Sequence, residues 1–203
     1  RNGDYCAAYP YIKHLLATEP LFTGEDPDDR NYLRMATIYE DFAARVDSTN
    51  EAEKKAYLDS ALATRRAGVE AMEAANITFD PYLRDLREGF FFFQNSAYYP
   101  DAEEQQFDAF TRAFEAKPDS LEDWYIVQLI NASALRFGNE VPNPDRAEYI
   151  RNVAQYLDDS SLNSGYTEFA ASIEREQAGG VNVGSDEAVA ALISSFRGGT
   201  ISD

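Results

Sequence analysis

The sequence predicts an all-α chain: a stack of antiparallel helix hairpins followed by a tethered C-terminal helix. Three observations predict it. In the stretch Ala109 to Tyr125, Phe110, Ala113 and Phe114 fall at i, i+3 and i+4 on one apolar face, while Thr111, Arg112 and Glu115 point away. Pro118 then breaks the helix and biases Lys117 away from the α region, and Ser120 stands ready to cap a second helix, with Asp123 as the carboxylate of a capping box. Trp124, Val127, Gln128 and Asn131 share one face of that second helix, so the unit is two helices joined by a very short turn. The second observation is that similar apolar stripes recur along the chain between turns rich in proline, glycine, asparagine and aspartate. The third is a Gly-rich break, Gly179 to Gly184, that sets a last short stripe apart from the rest.

Composition narrows the function classes. At 203 residues, with 44% apolar and 13% aromatic side chains, the chain can bury a full core. Eighteen basic against 36 acidic residues give a net charge of -18, which repels nucleic-acid phosphates and anionic membrane surfaces and leaves protein as the favoured partner class. Four lysines against 14 arginines, with many aspartates, is a balance seen in salt-adapted proteins. Cys6 is the only cysteine, so no intrachain disulfide forms; a small buried side chain on the first helix is its expected role. No apolar run reaches the ~18 to 20 residues of a membrane span. The absence of an initial methionine reads as processing or excision from a longer chain, which favours an extracellular, cell-surface or periplasmic setting.

Taken in order, the elements justify the fold class. The first helix runs towards Pro20, with Ala8, Ile12 and Leu15 on its packing face and Pro10 within its first turns. An acidic loop follows, in which Asp28 or Asp29 is the expected N-cap; Asp26, Asp28 and Asp29 lack the spacing of a calcium loop. Asn31 to about Val46 is a helix with Tyr32, Met35, Ala36 and Tyr39 on its face. After a turn capped by Ser48, Thr49 or Asn50, the longest helix extends from Ala52 to about Ala75, carrying Tyr57, Leu58, Ala61, Leu62, Val69 and Met72, with Gly68 as a close helix contact. Pro81 opens the next, in which the run Phe90 to Phe93 covers all faces. A helix apolar all round is expected to be central and buried, the sharper alternative being that Phe91 or Phe92 protrudes as a partner anchor. The hairpin of the opening stretch comes next and ends at Gly138. Asp145 to about Leu157 then gives a helix with Tyr149, Ile150 and Val153, and Tyr166 to about Gln177 a shorter capping helix. Residues 1–177 thus form one helical-repeat domain, 178–184 a linker, and 185–203 an amphipathic arm. Val189, Leu192, Ile193 and Phe196 form the arm's stripe, which must dock on its own chain or on a neighbouring copy.

Several of these residues carry a resemblance. Gly3, the aromatic Tyr5, Ala8, Ile12, Leu15 and Pro20, then Tyr32, Met35, Ala36 and Tyr39, and later Phe110 to Trp124, make the chain resemble tetratricopeptide-repeat proteins. It departs from that pattern where Ala36 replaces a glycine, where Gln128 and Asn131 replace a small and an aromatic residue, and where Pro20 and Pro81 stand 61 residues apart rather than a ~34-residue period. The resemblance implies a non-enzymatic scaffold whose concave face binds extended or helical protein segments, basic or apolar ones here. Phe91, Phe92, Gln128, Asn131 and the arm's stripe are the expected partner contacts. The alternative is a self-assembling structural subunit, of a filament or surface assembly, linked through its arm.

No chemistry competes with these readings. The single histidine, His14, has no second histidine to make a metal pair, and no phosphate loop, dinucleotide turn or nucleophile elbow is present. No catalytic residue, cofactor or metal site is therefore expected. Asn131-Ala132-Ser133 fits a glycosylation pattern but falls within a predicted helix.

Overall fold

The computed structural model describes residues 4–21, 28–138 and 143–156. Its helices are α1 (Tyr5–Thr18), α2 (Arg30–Arg45), α3 (Glu51–Ala74), α4 (Pro81–Gln94), α5 (Ala102–Ala116), α6 (Asp123–Phe137) and α7 (Pro144–Ala154), with single 3-10 turns at Ser96–Tyr98 and Pro118–Ser120. Among the described residues the structure is all-α, and its helices pack as hairpins, α1 on α2 and α2 on α3, then α4 on α5, α5 on α6 and α6 on α7. Two compact units divide it, Arg1–Asp80 and Pro81–Asp203. No helix among the described residues is long and apolar enough to cross a membrane.

In the first unit, α1 begins where the Asp4 carboxylate accepts the Ala7 N–H at 3.0 Å. It rests on α2 through Tyr9, whose ring lies 6.2 Å from Tyr39 and 5.6 Å from Phe42, yet none of its residues is buried. Cys6 corrects the expectation made for it: the thiol is exposed, with Arg45 Nη1 4.0 Å from its sulfur. We therefore expect a disulfide reagent to label Cys6 in the native protein about as fast as in urea. Labelling slowed by more than about tenfold would show that the thiol is covered.

The α2–α3 pair is close because its facing residues are small. Ala36 and Ala43 of α2 and Ala61 of α3 are fully buried beside Met35, Ile38, Leu58 and Met72. A Cβ on Gly68 would come within 2.9 Å of Tyr32 Cβ and 3.2 Å of Asp29 Cβ, so glycine is required for this approach. Arg65 Nη2 donates to Glu40 Oε1 at 2.7 Å across the pair. Both ends of α3 are closed by asparagine. Asn50 Oδ1 accepts the Glu53 N–H at 3.3 Å at the start. At the finish Asn76 takes φ 54°, its N–H donates to Glu73 O at 3.0 Å, and Ile77 N–H donates to Met72 O at 2.9 Å, the two bonds of a Schellman motif.

In the second unit α4 packs along α5, then α6 on α5 and α7 on α6. Phe110, Ala109 and Ala113 are fully buried, as the apolar face of the opening stretch requires. The Phe110 ring lies on the backbone of α4 at Gly89, where a Cβ would sit 2.3 Å from Phe110 Cδ1. Two local expectations fail. Ser120 does not cap α6; the chain makes a 3-10 turn, buries Leu121 in extended backbone, and starts the helix only at Asp123, with Glu122 in the cap position. The Ser120 carbonyl instead accepts the Tyr82 hydroxyl at 2.7 Å, tying the start of α4 to this turn. Nor does Thr111 point away. Its hydroxyl is enclosed beside that of Tyr149, whose burial pushes the phenol up to about 12.

The buried stripe of α6 is Ile126, Leu129, Ile130 and Ser133, with Val127 also inside. It is rotated from the predicted face of Trp124, Val127, Gln128 and Asn131. Gly138 closes α6 at φ 81°. Asn143 joins the helices on either side, its Oδ1 accepting the Arg146 N–H at 3.1 Å and its Nδ2 donating to Phe137 O at 2.8 Å. Arg146 reaches back into the core, where its Nε donates to Ser133 Oγ at 2.7 Å, so Ser133 is unavailable as part of a glycosylation site.

Candidate interaction surface

Among the described residues, the exposed aromatic side chains of the second unit lie where α4 meets the start of α6. A run of four phenylalanines on a helix turns through about 300°, so no single neighbour can cover it. The structure resolves the run into two pairs. Phe91 and Phe92 are 3% and 2% exposed and clasp Tyr99, at 5.8 and 5.4 Å between ring centroids. Phe90 and Phe93 are 37% and 39% exposed, and Leu83, about two and about three helical turns before them, is 42% exposed. This corrects the expectation for Phe91 and Phe92: they are core side chains with no surface to offer a partner, and their neighbours hold the exposed positions.

Phe90 and Phe93 do not stand alone. Trp124 packs its ring edge 4.8 Å from Phe93 and 6.0 Å from Phe90, with Tyr125 beside it at 4.8 Å. Beneath them lies Phe110, 5.2 Å from Tyr125 and 6.3 Å from Trp124. These edge-to-face contacts fix the orientation of the outer rings, so a partner meets a preformed platform and orders little on binding. Both signs of charge accompany it. Arg87 is exposed on α4 between Leu83 and Phe90, and Glu122 is exposed two residues before Trp124. Burial raises the Tyr125 phenol, and the Glu122 charge adds to the shift.

No protein-family model, no curated protein and no solved structure matches the chain.

Gln128 and Asn131, the other predicted contacts within the described residues, lie half-buried on α6. The Asn131 Oδ1 is enclosed, so that atom is neither bonded to loop backbone nor open to a wet groove. Val189, Leu192, Ile193 and Phe196 lie outside the described residues, as do the linker and the predicted capping helix. Asp26 does too, while Asp28 is committed to Arg30, whose Nε and Nη2 donate to it at 2.8 and 2.6 Å and hold its carboxyl below the usual range. Among the described residues no three His, Cys, Asp or Glu side chains converge as metal ligands. The platform was legible in one respect only: Trp124, Phe90 and Phe93 were each visible as large aromatics, but nothing in the spacing placed α4 beside the start of α6.

Proposed function

We propose that the chain is a non-enzymatic protein-interaction scaffold of tetratricopeptide-like hairpins, which receives an apolar segment of its partner on the platform of Phe90, Phe93 and Trp124. The carrying observation is the exposure of Phe90, Phe93 and Leu83 around a rigid aromatic floor. Aromatic side chains held in place in this way are the usual anchors of protein interfaces. The small-residue contacts of α2 with α3 and of α4 with α5 support the tetratricopeptide-like reading, since interlocking of small and large side chains is what makes such hairpins stack.

The test is selection from a library of displayed peptides, followed by affinity measurement on the wild-type chain and on a Phe90→Glu/Phe93→Glu variant of unchanged helical content. Selected sequences should be amphipathic or basic and apolar, and the variant should lose at least about 30-fold in affinity, the scale of two anchors removed. Peptides that bind both proteins equally would move the binding surface elsewhere.

A further inference from the structure

We propose that the platform's resident ligand is the chain's own arm, Ser185 to Phe196, docked in cis, so that an outside partner must displace it. This rests on the platform being an interaction surface. Three features match. The arm's stripe, Val189, Leu192, Ile193 and Phe196, would extend about 10 Å as a helix, and Leu83 to Phe93 covers about 15 Å of α4. Its charges run acid, apolar, base: Asp186 and Glu187 precede the stripe and Arg197 follows it. The platform carries both signs, Arg87 exposed on α4 and Glu122 exposed before Trp124, close enough to act on Tyr125. An arm with acids before its stripe and a base after it therefore finds a charge of opposite sign for each.

The third feature is the length of the tether. Residues 157–184 separate the last described turn from the arm, and fully extended they reach about 90 Å, several times the ~21 Å of α4, so the arm can reach the platform. A tether of this length holds a segment at an effective concentration on the order of millimolar. At micromolar protein the arm's own platform therefore wins over a neighbour's.

Trp124 is the chain's only tryptophan and lies in the platform, so its fluorescence reports occupancy directly. Acrylamide quenching is measured on the full chain, on a chain ending at Gly184, and on a full chain carrying Leu192→Asp/Ile193→Asp. Removing or charging the arm should raise the quenching constant about twofold by opening the ring to solvent. The full-chain value should not change between about 1 and about 100 μM protein, as a tethered contact requires. Equal quenching in all three proteins overturns the proposal, and a peptide still held by wild type and lost by Phe90→Glu/Phe93→Glu would then show that the platform binds other segments. Shielding that appears only as concentration rises also overturns it, in favour of arm exchange between copies and hence of the self-assembling alternative.

Discussion

Gly89→Ala should destabilise the second unit by about 2 kcal/mol, whereas on an open helix face the same change would stabilise by about 1 kcal/mol through helix propensity. The new methyl would stand 2.3 Å from Phe110 Cδ1 and 2.4 Å from Cε1, far inside contact distance. A flexible side chain would swing aside, but Phe110 is fully buried between α4 and the rings of Trp124 and Tyr125. Either the ring leaves its rotamer or α4 lifts from α5. Urea unfolding followed by Trp124 fluorescence measures the loss, and Phe110→Leu in the same chain should recover about 1 kcal/mol of it, because the two side chains compete for one space. A stabilised Gly89→Ala chain would mean that the ring does not lie on Gly89.

The second large effect concerns charge. Asp85 is buried on the face of α4 turned towards α5, and its carboxylate accepts Arg84 Nε and Nη2 at 3.2 and 3.0 Å and Arg112 Nε of α5 at 3.1 Å. The two guanidiniums are partly exposed, so the costly group to strand is the carboxylate. Arg84→Ala/Arg112→Ala should therefore cost about 3–5 kcal/mol, as a buried charge without its partners does. Asp85→Asn, which keeps the shape and takes only this carboxylate's charge from two solvent-reachable guanidiniums, should cost about 1–2 kcal/mol. Unfolding midpoints from circular dichroism rank the two. A double-arginine variant no weaker than Asp85→Asn would show that water reaches the carboxylate.

Helix existence was legible in the sequence, and so were most ends, because turn chemistry is local. Asn50, Gly138 and the break before Pro81 mark the ends of α3, α6 and α4 to within a residue or two. Gly68 was legible as a close contact for the same reason: a lone glycine inside a helix has few other uses. Which face is buried was harder to read. On α4 the inward row is Asp85, Gly89 and Phe92, and a charge and a glycine on that row disguise it as polar. On α6 the largest residue drew the stripe to itself, but an indole serves well at a half-covered rim, and the aliphatic row of Ile126, Leu129 and Ile130 went inside instead. Ser120 had the chemistry of a cap, yet burying Leu121 was worth more than one capping bond, and the helix start moved past it. The platform depends on helices meeting through space, which periodicity along one helix does not encode.

Because helices within each unit pack on their neighbours in sequence, most contacts join residues close along the chain. Such a topology has little loop entropy to overcome and folds quickly, in microseconds to milliseconds for comparable helical proteins. The same locality limits how far damage spreads. A lesion at Gly89 would fray α4 and α5 first while α2 and α3, joined through Gly68 and their alanines, keep their amides protected from exchange. The chain should then lose its structure in sections, and a single melting temperature would average over events that belong to different parts of it.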